Sequence, residues 1–112
     1  MNRQVLPSAR TDIRRQYEYY LELDRPELGD RFFIAVNSAI DSALQRPEAG
    51  APKQVRNPQL TGLRTWSVPG FNEFRVYYLV RDGSLIVVRV LHGRRDVDSI
   101  LDAQIVDQSD GE

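Results

Sequence analysis

The sequence predicts one α+β domain in the order β-α-α-β-β-β-α: an N-terminal helical hairpin packed on a small, mostly antiparallel sheet, then a short C-terminal helix. Three observations predict it. Two stretches before residue 46 carry apolar residues at helical spacing, and the apolar period shortens to that of a strand after residue 62. Asp82-Gly83 lies between two such strands and is a strong hairpin signal. A chain of 112 residues suits a single domain, which we place at residues 1–104.

The N-terminal third is predicted to be a short strand followed by two helices. The strand covers Arg3 to Leu6, and the first helix covers residues 9–23 with Ser8 as its N-cap. Asp24 is predicted to cap the second helix, which ends before Pro47 because the residue preceding a proline is pushed out of the helical region. The short connection between the helices predicts an antiparallel hairpin.

The C-terminal half is predicted to be three strands and a terminal helix. The strands cover Leu63–Val68, Phe74–Arg81 and Ser84–Arg94, and the helix runs from Val97 to about Gln104 with Asp96 as its cap. Residues 105–112 are predicted to be an acidic, frayed tail.

The tight hairpin turn predicts the register of the last two strands, with Tyr77 opposite Val88. The face predicted to pack on the helices holds Phe74, Val76, Tyr78, Val80, Leu85, Val87, Arg89 and Leu91. The other face is predicted to be incompletely covered and to bring Arg75, His92 and Arg94 together at one end. An open, partly apolar sheet face indicates a bound partner.

Composition excludes several function classes. The chain has no cysteine and one histidine, so neither a disulfide scaffold nor a common zinc site can form, and we expect no metal and no cofactor. There is no phosphate loop, no dinucleotide fingerprint and no nucleophile elbow. No signal peptide or membrane span is indicated, and we expect a cytoplasmic protein.

Charge is unevenly distributed although the net charge is only −1. Residues 46–95 hold nine basic and three acidic side chains, whereas residues 96–112 hold six acidic side chains and no basic one. All but one of the basic residues are arginines, which bind phosphate or carboxylate through two parallel hydrogen bonds. The pattern fits a partner-binding surface, and it equally fits a solvated surface with an arginine bias.

Each candidate functional side chain has two interpretations. His92 is either a general base or phosphate ligand, or a structural histidine at a strand end; the absence of an obvious carboxylate partner favours the structural role. Trp66 and Phe71 either form a recognition surface or seal an edge of the core. The arginines could bind phosphate, an acidic partner or the acidic tail of this chain.

Several segments resemble the ParE branch of the RelE/ParE toxin superfamily. They are Leu6-Pro7-Ser8-Ala9-x-x-Asp12-Ile13, Gly62-Leu63-Arg64-x-Trp66-x-Val68-Pro69-Gly70-Phe71, Phe74-Arg75-Val76-Tyr77-Tyr78 and Val90-Leu91-His92-Gly93-x-Arg95-Asp96. The last is the most specific, and the resemblance covers roughly residues 3–101. The predicted order of strands and helices is also that of the superfamily.

The resemblance implies the toxin of a type II toxin–antitoxin pair. ParE-like toxins inhibit DNA gyrase, and a cognate antitoxin neutralises them by wrapping a flexible C-terminal segment around the toxin. Operator DNA would be contacted only through the antitoxin. The residues expected to bind the target or the antitoxin are Arg64, Trp66, Arg75, Tyr77, His92, Arg94 and Arg95.

Two alternatives remain within the superfamily. The RelE branch cuts mRNA on the ribosome, and by resemblance Arg64, Arg75 and Arg94 would form its catalytic site. The tyrosine expected on the terminal helix is replaced by Ile100, and the isoelectric point near 5.8 is low for a ribosome-binding protein. The other alternative is an inactive module that only binds the antitoxin or regulates the operon.

Overall fold

The computed structural model describes residues 1–106 and confirms the predicted α+β architecture. Its elements are β1 (Asn2–Val5), α1 (Pro7–Glu22), α2 (Pro26–Gln45), β2 (Ala51–Pro52), a 3₁₀ turn (Pro58–Leu60), β3 (Arg64–Val68), β4 (Phe71–Arg81), β5 (Ser84–His92) and α3 (Val97–Asp102). The short β2 and the 3₁₀ turn were not predicted. Of the predicted acidic tail, residues 107–112 lie outside the described residues.

The five strands form one mixed sheet in the order β1-β5-β4-β3-β2. β1 pairs in parallel with β5, and the remaining neighbours are antiparallel. The hairpin of α1 and α2 packs on one face, which we call the helix side, and buries a core there that includes Phe32, Val36, Ile40, Val76 and Tyr78. Within residues 1–106, no helix is long and apolar enough to cross a membrane.

Both predicted caps of the helical hairpin are wrong. α1 begins at Pro7, whose missing N–H costs nothing in a first turn, and Ser8 lies inside the helix, where its hydroxyl donates to the Val88 carbonyl oxygen at 3.0 Å. α2 begins at Pro26 with Arg25 as its N-cap residue. Asp24 instead has φ 59°, in the left-handed region, and forms the bend between the helices.

The β4–β5 hairpin has the predicted turn but not the predicted register throughout. Asp82 and Gly83 have φ 52° and 75°, as a two-residue hairpin turn requires. Pairing follows the prediction as far as Tyr78 opposite Val87. Tyr77 then lies opposite Arg89, so Val88 is an extra residue and β5 contains a β-bulge.

Side chains of α1 satisfy the backbone groups at this bulge. Ser8 donates to the Val88 carbonyl, and the Asp12 carboxylate accepts from the Val90 amide at 2.9 Å. Asp12 also accepts from Nε and Nη2 of Arg89, each at 2.7 Å. Because Ser8 and Asp12 are one helical turn apart, a single face of α1 holds the bulge in place.

The bulge changes the predicted faces of β5. Beyond Val88, Val90 faces the helix side and Leu91 the other side, which is the reverse of the prediction. Arg89 is held at the bulge by Asp12 rather than lying in the helix-side core. Val80, also predicted to pack on the helices, is exposed, although Leu85 opposite it is buried in the helix-side core.

The face predicted to be open is covered. It carries a second core that includes Tyr77, Leu79, Val88 and Leu91. Residues between β2 and β3, together with α3, bury it, contributing Leu60, Leu63 and Leu101 and, partly buried, Val55, Val97 and Ile100. We call this face the α3 side. The sequence did not predict that it is covered, because the loop residues that cover it follow no periodic pattern.

Candidate functional site

The predicted site residues fall into two groups on opposite faces of the sheet. Arg64 and Trp66 lie on the helix side of β3, opposite Tyr78 and Val76. Arg75 and Tyr77 lie on the α3 side of β4. Both are adjacent in the strand to Val76, which faces the helix side, and successive side chains of a strand point to opposite faces. His92, Arg94 and Arg95 come at the end of β5, and His92 lies opposite Phe74 on the helix side.

The predicted cluster of Arg75, His92 and Arg94 is therefore wrong. The bulge at Val88 turns His92 to the helix side, whereas Arg75 points to the α3 side and donates from Nη1 to the Ser67 hydroxyl at 2.9 Å. The two side chains are separated by the sheet itself.

Arg64 takes part in a structural network near β2. Its Nη1 donates to the Gly50 carbonyl oxygen at 2.7 Å, and the neighbouring Tyr78 hydroxyl donates to the Pro47 carbonyl oxygen at 2.8 Å. A β-carbon at Gly50 would overlap the Tyr78 hydroxyl, so only glycine fits there. These contacts hold the loop after α2 against the sheet.

Tyr77 and Trp66 contribute more to the cores than to the surface. Tyr77 is buried on the α3 side, and burial raises the pKa of its hydroxyl although Lys53 and Arg75 partly oppose the shift. Trp66 is half-buried and packs against the helix-side core. The half-buried position of Trp66 agrees with the interpretation that this side chain seals an edge of the core.

His92 has the carboxylate partner that the sequence did not reveal. Its Nε2 lies 2.6 Å from Oε1 of Glu73, and its Nδ1 accepts the backbone N–H of Arg94 at 3.0 Å. Since Nδ1 accepts, the proton of the neutral ring lies on Nε2 and is donated to Glu73. Gly93 and Arg95 also donate backbone N–H groups, to the carbonyls of Glu73 and His92. His92 thereby organises the turn that carries the two arginines.

This turn forms one wall of a groove on the helix side, which we call the aromatic–arginine groove. Its volume is about 680 Å³, and it is lined by Gln16, Tyr19, Tyr20, Gly70, Phe71, Asn72, Glu73, Phe74, His92, Arg94 and Arg95. Three elements meet here: the second half of α1, the start of β4 and the end of β5. Arg94 and Arg95 are exposed, and within residues 1–106 their guanidinium groups form no ion pair.

A continuous series of aromatic rings underlies the groove. Tyr20 contacts Phe71 with ring centroids 6.2 Å apart, Phe32 lies 5.2 Å from Phe71 and 5.0 Å from Phe74, and Phe74 meets the ring of His92 at 5.0 Å. Edge-to-face packing of this kind fixes ring orientation. Phe32 is fully buried, so the floor of the groove is anchored in the core.

A second, more apolar groove runs along the outside of the helical hairpin. This hairpin groove has a volume of about 670 Å³ and is lined by Arg10, Ile13, Arg14, Tyr17, Asp30, Phe33 and Ile34. Phe33 and Ile34 are 52% and 65% exposed, high values for large apolar side chains. The Tyr17 hydroxyl donates to Asp30, and that contact raises the pKa of Tyr17. An exposed apolar groove of this kind marks an interaction surface.

Comparison with known proteins now assigns the family. A model of the ParE toxin of the type II toxin–antitoxin system parDE matches residues 4–97. The chain is a member of the ParE toxin family. A solved structure described as the chromosomal ParDE toxin–antitoxin system from P. aeruginosa has the same fold, with a TM-score of 0.67 at 20% identity over 82% of this chain and 95% of that chain. No curated protein sequence matches the chain.

This ParE-type toxin therefore belongs to a ParDE toxin–antitoxin system, and an antitoxin is its expected partner. Among residues 1–106, no group of histidine, cysteine, aspartate and glutamate side chains could hold a metal ion. The two grooves described above, one of them bordered by the exposed Arg94 and Arg95, are the candidate binding surfaces of this toxin.

Sequence reasoning missed some groove residues of the toxin and found others. Tyr19 and Phe74 were assigned no functional role, since an aromatic residue on an amphipathic element is first interpreted as core. Glu73 was missed because the predicted strand began at Phe74, whereas β4 begins at Phe71 and includes Glu73. Phe71 was found as a possible recognition residue, and it lies in the groove wall.

Proposed function

We propose that this ParE-type toxin inhibits DNA gyrase by binding and that a cognate antitoxin neutralises it. The observation that carries the proposal is the separation of the arginines. Arg64 is bonded to Gly50 on the helix side, Arg75 is bonded to Ser67 on the α3 side, and Arg94 lies in the groove. An RNA-cleaving site needs its cations around one phosphate, so this arrangement favours a binding toxin over a nuclease.

The aromatic–arginine groove is the surface that we assign to the gyrase complex. Arg94 and Arg95 are exposed, are not paired within residues 1–106 and adjoin partly exposed aromatic rings. Arginine and aromatic side chains are the residue types enriched where binding energy is concentrated. We place the action of the toxin in the cytoplasm, where gyrase works.

The hairpin groove is the surface that we assign to the antitoxin. The α3 side of the sheet is already covered by the chain itself, whereas Ile13, Phe33 and Ile34 present apolar surface between two helices. An amphipathic segment that lays its apolar side chains in this groove would bury that surface. Operator DNA would then be contacted only through the antitoxin.

A DNA cleavage assay with purified gyrase and supercoiled plasmid tests the target. We expect linear DNA to accumulate when the toxin is added and to disappear when the cognate antitoxin is added. The variant with Arg94→Ala and Arg95→Ala should be much weaker, whereas Arg56→Ala, which removes an exposed arginine outside the groove, should act like the wild type. A folded toxin that leaves gyrase unchanged at large excess overturns the proposal, and cleavage of mRNA on programmed ribosomes would then establish the nuclease alternative.

Antitoxin binding is tested separately by calorimetry. Ile34→Glu places a charge in the hairpin groove and should weaken antitoxin binding by at least tenfold while leaving the effect on gyrase unchanged. The matched control is Leu23→Glu, because Leu23 is similarly exposed but does not line the groove. Equal affinities of the two variants would show that the antitoxin binds elsewhere.

A further inference from the structure

We propose that the aromatic–arginine groove binds a segment of single-stranded DNA, with bases stacked on its aromatic rings and phosphates held by Arg94 and Arg95. The proposal rests on the proposed function, since a toxin that acts on gyrase would act where DNA is bound. The DNA-binding test itself needs no gyrase, so the two proposals can fail independently.

The aromatic part of the groove has the properties of a stacking surface. Tyr19 is 50% exposed on α1, and its ring lies 5.8 Å from that of the buried Tyr20. Phe71 and Phe74 are half-buried and are locked by edge-to-face contacts with Phe32. Rings that are fixed before binding lose little entropy on contact, and every base offers a π-face to them, so binding would tolerate any sequence.

The arginines lie where the backbone of a stacked strand would pass. Both border the same groove as the rings, and the hydrogen bonds from the Arg94 amide to His92 Nδ1 and from the Arg95 amide to the His92 carbonyl fix the turn that carries them. The nearby Glu73 carboxylate is engaged by His92 at 2.6 Å, which reduces its repulsion of an incoming phosphate. Guanidinium groups bind phosphate oxygens through paired hydrogen bonds.

Nucleic acid fits this groove better than an acidic peptide does. Carboxylates of a peptide would satisfy the arginines, but glutamate and aspartate side chains have no ring to stack on Tyr19 or Phe71. A free nucleotide is also a poorer fit, because the groove lacks the glycine-rich phosphate loop with which proteins hold isolated phosphates. A strand supplies rings and phosphates together along an extended surface.

Fluorescence anisotropy with a labelled oligothymidylate and the full-length toxin tests the proposal. We expect saturable binding that Tyr19→Leu weakens by about tenfold, whereas Tyr19→Phe, which keeps the ring, binds like the wild type. Arg94→Ala combined with Arg95→Ala should lower the slope of log affinity against log salt by about 1.4, because each phosphate neutralised on a single strand contributes about 0.7. Arg56→Ala, outside the groove, should leave affinity unchanged.

Four results would overturn the proposal. The first is the absence of saturable binding, and the second is a loss of affinity in Arg56→Ala equal to that in the variant with Arg94→Ala and Arg95→Ala. The third is competition by polyglutamate that is as strong as competition by unlabelled oligothymidylate. The fourth is tighter binding of oligouridylate than of oligothymidylate. If the toxin fails to bind oligothymidylate yet poisons gyrase, only this inference falls. If it binds oligothymidylate through the groove but does not affect gyrase, the proposed target falls and the DNA site stands.

Discussion

The two halves of the β4–β5 hairpin follow different rules. In the turn half, from Tyr78 opposite Val87 to Arg81 opposite Ser84, pairing is set by the Asp82-Gly83 turn. In the open half, from Phe74 opposite His92 to Tyr77 opposite Arg89, pairing is shifted by one residue.

The difference shows which interactions decide strand register. The turn acts on its immediate neighbours, whereas the open half is held by Ser8 and Asp12, about eighty residues away along the chain. The functional consequence is large, because a one-residue slip moves each side chain to the other face. The slip places His92 beside the aromatic rings instead of beside Arg75.

The strongest way to break the open half is to remove Asp12. Its side chain is 6% exposed and pairs with Arg89, which is 17% exposed. Asp12→Ala should lower the free energy of unfolding by about 3–5 kcal/mol, because it leaves a partly buried guanidinium and the Val90 amide without their acceptor. Urea denaturation followed by circular dichroism measures the change.

Two further variants test whether the buried position of the pair explains this loss. Asp41→Ala breaks the exposed Arg3–Asp41 pair and should cost less than about 1 kcal/mol. Replacing Asp12 and Arg89 together by Leu and Met should recover part of the stability, since no buried charge is then left unpaired. Similar losses for Asp12→Ala and Asp41→Ala would show that the bulge does not depend on α1.

The turn half could be predicted from the sequence and the open half could not, for a physical reason. Asp82-Gly83 needs positive φ at two adjacent residues, and that demand is visible locally. The bulge depends on hydrogen bonds from a helix, and the residues that make them look like ordinary helix residues. Ser8 was predicted to be a cap for the same reason: its sequence position suits a cap, but its hydroxyl serves β5.

The relative placement of the candidate residues was predicted in part. His92, Arg94 and Arg95 do share one groove, whereas Arg64, Trp66, Arg75 and Tyr77 lie away from it. Strand alternation places a side chain on a face only while the register holds. The burial of the α3 side could not be predicted from the sequence either, because Leu60 and Leu63 come from a loop that follows no periodic pattern.

Tyr77 and Tyr78 lie on either side of the register shift, so their substitution compares the open half and the turn half of the hairpin directly. The Tyr78 hydroxyl donates to the Pro47 carbonyl, whereas the Tyr77 hydroxyl makes no hydrogen bond within residues 1–106. Tyr78→Phe should lower the free energy of unfolding by about 1–3 kcal/mol, because it leaves a partly buried acceptor unpaired. Tyr77→Phe should change it by less than half of that. Urea denaturation of both variants checks the pair, and equal losses would contradict it.

Substitution of His92 tests whether this residue fixes the turn that follows the open half of the hairpin and carries Arg94 and Arg95. Asn keeps an acceptor near the Nδ1 position for the Arg94 amide, whereas Gln keeps a donor toward Glu73 but loses that acceptor. We expect amide hydrogen exchange at Arg94 to be several-fold faster in His92→Gln than in His92→Asn, because one hydrogen bond contributes about 1 kcal/mol. Equal exchange rates would mean that the arginine turn does not depend on His92.

The smallest effect is confined to alkaline pH. Burial raises the pKa of Tyr77 and of Tyr78 above the unfolded value of about 10. Between the unfolded and the folded pKa, the unfolded chain has lost protons that the folded chain retains, so the free energy of unfolding falls as pH rises. Below about pH 10 both states keep these protons, and the tyrosines add no pH dependence. Tyr77→Phe should therefore flatten the alkaline decline relative to the wild type, and urea midpoints measured from about pH 8 to 11 test this. An unchanged decline would show that ionisation of Tyr77 does not limit the stability of the α3 side.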